Sequence, residues 1–241
     1  MNIRRLKDSA ELGKEAAKLS AEIIKKAIAE KGRARIVLST GASQFDTLKA
    51  LTETDVDWSK VEMYHLDEYR DLPETHPASF RKYLKDRFIS QVNLGQAHLV
   101  CGEGDVTKNI AELTKSIREA EIDLGLIGIG QNAHIAFNDP PADFLTEEAY
   151  IIVNLDDACK KQQVSEGWFA TIDDVPKQAV SMTVYQIMQC KNIISCVPSK
   201  VKANAIKSMI DNPVTNLIPA TMLKMHNSMT LFLDEESASL L

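Results

Sequence analysis

Residues 35–51, RIVLSTGASQFDTLKAL, decide the fold. Ile36, Val37 and Leu38 form a short apolar run with β-branched side chains, which predicts a buried strand. Ser39, Thr40, Gly41, Ala42 and Ser43 interrupt it with small polar residues, and a helical stretch follows through Leu48, Ala50 and Leu51. The same order recurs outward from this segment. Upstream, Leu12, Ala16, Leu19, Ile23, Ala27 and Ile28 repeat at helical spacing, so the opening of the chain reads as one long helix that Gly32 stops. Downstream, strands are expected at 61–66, 97–101, 122–129, 150–155, 179–184, 193–197 and 229–233. Helices are expected at 79–88, from the Asp105 cap to about 120, at 199–210 beyond the last buried run but one, and near 220–225. Strands alternating with helices place the chain in the α/β class, as a Rossmann-like three-layer fold. Its mainly parallel twisted sheet is covered by helices on both faces. No repeat or linker divides residues 1–241, so a single domain is expected.

Composition narrows the function. A hydrophobic share of 44% with 26% charged residues suits a globular protein with a full core. The formal net charge of −6 offers no general basic surface, which argues against nucleic acid as a partner. An anionic substrate therefore needs a local positive site. No apolar run is long enough to span a bilayer, and the basic N-terminus lacks the apolar region of a signal peptide, so an unexported, cytoplasmic protein is expected. Cys101, Cys159, Cys190 and Cys196 form no CxxC pair and read as reduced, partly buried thiols. The five histidines lack zinc-ligand spacing.

In open α/β sheets ligands bind beyond the carboxyl ends of the strands, and three polar clusters fall there. The first, Ser39 to Ser43, offers hydroxyls, a glycine that lets the backbone approach closely, and a helix N-terminus, all suited to phosphate. It reads equally well as an ordinary helix start capped by Ser43. It is no P-loop, since the Gly-Lys-Ser/Thr ending is missing. The second, HLDEYRDLP at 65–73, places Asp67 and Glu68 at a strand end, where a carboxylate serves as a base or merely lines an acidic surface loop. The third, GIGQNAHIAFNDPP at 128–141, mimics a dinucleotide fingerprint through Gly128, Gly130 and Ala133. Asp139, Pro140 and Pro141 leave no room for the helix such a fingerprint needs. The stretch does gather Asn132, His134 and Asp139, an imidazole flanked by the groups that fix its tautomer. Lys200 and Lys202 open a later helix, where a cation opposes the helix dipole and an anion would explain it.

Taken in order, LSTGAS, HLDEYRDLPETHPASF, IDLGLIGIGQNAHIAFNDP, PSKVKANAI and PATMLKMH resemble the glucosamine-6-phosphate deaminase/isomerase family over nearly the whole chain from about Arg35. The resemblance implies amino-sugar metabolism of the kind that breaks down N-acetylglucosamine. It implies that Asp67 moves a proton between C1 and C2 of an open-chain sugar phosphate and that His134 opens the ring. Asn132 and Asp139 would orient His134. Ser39, Thr40, Gly41, Ala42, Ser43 and Lys202 would hold the phosphate. No metal or organic cofactor is implied, and the protein is expected to act as a monomer or small homo-oligomer on a small-molecule sugar phosphate. The chain departs from the family at Ala133, where glycine is common, and at Asp139, where glutamate is usual. It also lacks the arginine that relatives carry before a pair of phenylalanines, reading KKQQVSEGWF there, with Lys160, Lys161, Gln162 or Gln163 as candidate substitutes. A hydrolase of the sister 6-phosphogluconolactonase family and a non-catalytic sugar-phosphate sensor stay as alternatives. The segment 141–176, loop-like in composition, is the expected lid.

Overall fold

A computed structural model describes residues 1–241. The chain opens with β1 (Asn2–Leu6), an exposed strand, and then α1 (Ser9–Lys31). Asp8 accepts from Glu11 N to cap α1, which buries Leu12, Ala16, Ile24 and Ala27 along one stripe. The helix ends at Gly32, which takes a left-handed φ of 75° and donates its N–H to Ile28 O. After it come β2 (Ala34–Leu38), α2 (Phe45–Thr52), β3 (Val61–His65), β4 (Asp67–Tyr69), α3 (Phe80–Arg87), β5 (Gln96–His98) and α4 (Val106–Ile117). The second half holds β6 (Leu124–Leu126), β7 (Tyr150–Asn154), α5 (Asp157–Ser165), β8 (Gln178–Met182) and α6 (Val184–Met188). It closes with β9 (Ile193–Val197), α7 (Ala203–Asp211), a 3-10 segment at Pro219–Met225, and β10 (Met229–Asp234).

Seven strands pair in parallel in the order β1-β10-β9-β6-β2-β3-β5. Alternation along β2 shows the three layers directly. Ile36 and Leu38 pack with Leu12, Ile24, Leu51 and Leu84 from α1–α3, while Val37 packs on the other face with Leu113, Ile117 and Ile206 from α4 and α7. Arg35, buried at the start of β2, donates to the carbonyls of Ser116 and Ile117 (2.6 and 3.1 Å). It thereby satisfies the open end of α4, and its guanidinium lies over the Tyr64 ring.

Several elements differ from the sequence expectations. β1 was hidden because it is mostly exposed and lacks an apolar run, and it exists through its pairing with β10. The expected strand at 61–66 ends at His65, and Asp67 and Glu68 lie on β4 rather than in a loop. β4, β8 and β7 form a second, antiparallel sheet, so the runs at 150–155 and 179–184 leave the main sheet. The run at 122–129 is extended only as β6, because the polypeptide from Ile127 onward turns into the glycine-rich loop.

Candidate active site

A cavity of about 1000 Å³ opens beyond the carboxyl ends of β2, β6, β9 and β10. It meets the three polar clusters and Lys202.

On one side lies the loop after β2. Gly41, at φ 100°, leads into a short 3-10 turn and then α2, and no side chain caps either. Gln44 N donates to Gly41 O (3.0 Å), and the N–H groups that open the turn meet no capping side chain, so a ligand can take them. Ser43 is not the expected cap; its Oγ accepts from Gln44 Nε2 (3.0 Å), which also donates to Cys196 O (3.0 Å). Tyr83 of α3 donates to Gly41 O (2.9 Å), so the loop is pinned from two sides. Ser39 Oγ is buried without a partner. Ser39, Thr40, Gly41, Ala42 and Ser43 all line the cavity.

Facing this loop is Lys202, only 6% exposed, in the 3-10 turn Lys200–Lys202 that follows β9. Its ammonium has no hydrogen bond or ion pair, and burial pulls its pKa down against the opposing charge of Glu166. A buried cation without a partner is costly unless an anion joins it. Ser199, just before, holds φ 83° and ψ 142°, a conformation nearly reserved for glycine, with its N–H fixed to Asp234 Oδ2 (2.9 Å).

Asp67 stands across the cavity, 5% exposed, with no hydrogen bond to its carboxylate. Burial pushes its pKa well above the ordinary carboxyl value, and the charge of Glu68 pushes the same way. Glu68 points to the opposite face of β4. There it accepts from Ser79 Oγ (2.8 Å) and from the N–H groups of Phe80 and Arg81 (3.2 and 2.8 Å), and it pairs with the Arg81 guanidinium (3.3 Å). It anchors the start of α3.

The loop after β6 carries the histidine. Asp139 Oδ1 accepts from His134 Nδ1 (2.9 Å) and from Asn132 Nδ2 (3.0 Å), while Asn132 Oδ1 accepts from His134 N (3.1 Å). Burial acts to raise the pKa of Asp139, but bonds and charge from His134, with Asn132 and Cys159, outweigh it and hold the pKa low. A carboxylate only accepts, so Nδ1 carries the hydrogen and Nε2 is left for the cavity. The aspartate that replaces the usual glutamate therefore still reaches the ring. A Cβ on Gly130 would lie 2.3 Å from His134 Nε2, so only glycine leaves the ring its place. Ala133 sits at φ 65°, the left-handed conformation that a glycine takes without cost. No helix follows Ala133, in keeping with rejection of the dinucleotide reading.

The second sheet joins the two halves of the site. Asp67 of β4 is paired with Ser181 of β8. Ser181 Oγ accepts from Phe137 N (3.0 Å), and Asn138 Nδ2 donates to Met182 O (2.8 Å). The histidine loop is thus stapled to the strand that carries Asp67's neighbour.

Segment 141–176 holds the expected strand, as β7, and also α5, a helix that its loop-like composition did not suggest. Asp156 caps α5, accepting from Cys159 N. Of the four candidates for the missing arginine, Gln162 and Gln163 line the cavity and Lys160 and Lys161 do not. Glu166 and Trp168, which also border it, went unnoticed in the sequence, although Gln162 and Glu166 share one helix face at i, i+4. His134, Asp139 and Cys159 bring three potential metal ligands within 4.8 Å. Burial raises the Cys159 thiol and keeps its proton, and Asp139 Oδ1 is committed to two donors. The trio reads as hydrogen-bonding support.

Fold and site together define an α/β enzyme fold whose cavity brings a buried carboxyl, an oriented imidazole and an unpaired ammonium together. The chain belongs to the family of glucosamine-6-phosphate isomerases and 6-phosphogluconolactonases, whose pattern matches residues 7–232. A glucosamine-6-phosphate deaminase of Oenococcus oeni is 36% identical over 228 residues, 94% of each chain. One from Streptococcus equi subsp. zooepidemicus is 34% identical over 99% of each. A solved structure described as a monomeric glucosamine-6-phosphate deaminase superposes with a TM-score of 0.90 at 27% identity, covering all of both chains. The 6-phosphogluconolactonase of Thermotoga maritima shares the fold, with a TM-score of 0.79 at 17% identity over 97% of this chain and 99% of its own.

Proposed function

We propose that the protein converts glucosamine 6-phosphate, or a close hexosamine 6-phosphate, to the ketose 6-phosphate and ammonia. The observation that carries this reading is one cavity holding an unpaired buried ammonium, Lys202, and an unbonded buried carboxyl, Asp67. The loop Ser39, Thr40, Gly41, Ala42 and Ser43 together with Lys202 takes the phosphate. His134, held by Asp139 and Asn132, carries the proton from the C1 hydroxyl to the ring oxygen, opening the ring to the aldehyde. Asp67 removes the C2 proton and returns it at C1, while a proton passes from the amino nitrogen to O1, leaving a C1 hydroxyl and an imine at C2. Water adds there, the C–N bond breaks, and ammonia leaves with its electron pair. A carboxyl whose pKa is raised by burial both accepts and returns a proton readily, as this transfer requires. Each residue in this scheme comes from one chain. We infer a cytoplasmic enzyme of a single domain, active as a monomer or small homo-oligomer.

Ammonia release from glucosamine and galactosamine 6-phosphates tests the reading. Release from one of them is expected, reduced by about 10²–10⁴ in Asp67→Asn and in His134→Ala. A folded protein that releases none, and hydrolyses the phosphogluconolactone instead, overturns it.

A further inference from the structure

Gln163 has no part in that scheme, yet it is built into the cavity wall. The side chain is 5% exposed and lines the cavity from α5. Its Oε1 accepts from the Tyr69 hydroxyl at 2.7 Å. Tyr69 belongs to β4, two residues beyond Asp67 and on the same face of the strand. Its ring is wedged against Phe80, Phe137 and Phe169, with centroids 5.0, 5.2 and 5.4 Å away, so the hydroxyl has one direction to point. The phenol keeps its proton in this buried setting and has no acceptor other than Gln163, so it must donate. This fixes the amide: oxygen toward Tyr69, Nε2 turned away from it with no hydrogen bond in the protein. A donor on a cavity-lining side chain, held rigidly and left without an acceptor in the protein, is free to take one from a ligand.

Neighbouring Gln162 differs. Its Oε1 accepts from Gln131 N (3.1 Å) and its Nε2 donates to Glu166 Oε1 (2.7 Å), so both ends are occupied within the protein. Lys160 and Lys161 do not reach the cavity wall. α5 therefore offers one free amide donor, on the Asp67 side of the cavity.

We propose that Gln163 is a substrate-specificity residue whose Nε2 donates to an oxygen of the sugar beside Asp67, with Tyr69 as the group that orients it. The inference rests on the sugar-phosphate reading above. The phosphate already has the loop after β2 and the Lys202 ammonium, and a neutral amide fixed to the strand that carries the base suits a hydroxyl or carbonyl oxygen better than a dianion. A site that donates to a substrate oxygen also discriminates against analogues lacking it, because the donor is then buried unpaired.

The experiment compares wild type with Gln163→Met and with the double variant Tyr69→Phe/Gln163→Met. The double change removes both partners of the buried hydrogen bond and so protects the fold. Three readouts are taken: kcat/KM for the hexosamine 6-phosphate, calorimetric affinity for the ketose 6-phosphate, and inhibition by inorganic phosphate. Both variants are expected to lose roughly tenfold to a hundredfold in kcat/KM and in ketose phosphate affinity, with phosphate inhibition unchanged. Tyr69→Phe alone, which frees the amide but keeps the donor, should lose only a few-fold. Sugar affinity within twofold of wild type overturns the proposal, and so does phosphate inhibition that weakens in parallel, since Gln163 would then serve the phosphate. If wild type releases no ammonia from any hexosamine phosphate, the activity reading falls, and Gln163 is still judged by the calorimetry.

Discussion

Adjacent acids on β4 show how much a single residue's surroundings decide. Glu68 is fully buried, and burial raises its pKa, but donors from the start of α3 offset part of that cost and give it a structural role. Asp67 is nearly as buried and has none. Its charged form is disfavoured in the folded state, and stability must reflect that. Between the unfolded carboxyl's ordinary value near 3.8 and the raised folded value, the folded protein binds the proton more tightly than the unfolded chain. Stability therefore falls as pH rises through that window and stays lowered above it. Asp67→Asn removes the penalty. The variant should melt above wild type at pH 7–8, by about 2–4 °C for each kcal/mol regained, and the two should converge near pH 4. Equal melting temperatures across that range would mean that Asp67 is not held against its charge. In sequence alone the two acids are indistinguishable, since both sit in one polar cluster. Only the strand's alternation separates them, and β4 was read as a loop because its three residues are two acids and a tyrosine.

At the level of elements, the buried parallel strands were legible because apolar runs bounded by polar loops have few other uses; β9 falls at 193–197 as expected. β1, β4 and α5 were not, because each is held by tertiary partners rather than by its own pattern. α5 has little apolar periodicity of its own and was taken for a loop, although it carries Gln163 to the cavity. The loop after β6 was legible in part: the grouping of Asn132, His134 and Asp139 was foreseen, while the role of Gly130 was not. That glycine leaves space for the imidazole, which a Cβ would meet at 2.3 Å. Gly130→Ala should push the His134 ring off Asp139 and lower kcat by about 10²-fold or more, with phosphate affinity kept and an overpacking cost of about 1–3 kcal/mol in unfolding free energy. Wild-type kcat in that variant would show that the ring is free to shift without loss. Ala133, at φ 65° in the same loop, is a different case: glycine there relieves strain but gives up a buried methyl, and the two effects are of similar size.

For the molecule as a whole, the side of the cavity proposed to take the phosphate couples distant parts of the chain. The loop after β2 is tied to α3 through Tyr83 and to β9 through Gln44, and Lys202 enters from the turn beyond β9. An anion bound between them links α2, α3 and α7, so its binding energy appears as global stability. Without ligand, Lys202 is a liability: burial lowers its pKa, so the unfolded chain binds the proton more tightly. That penalty is full below the folded pKa and fades as pH rises toward the ordinary value near 10.5. Lys202→Met should therefore melt above wild type in phosphate-free buffer at pH 7, with the gap shrinking in alkali. Phosphate at a hundred times its dissociation constant should add about 2.7 kcal/mol to wild type, or roughly 5–10 °C in melting temperature, and nothing to the variant. The order of the two proteins then reverses between the buffers. Calorimetric melts with and without phosphate show that crossover if Lys202 is held for an anion. Parallel shifts in both proteins would place the anion elsewhere, and the sugar-phosphate reading would lose its anchor.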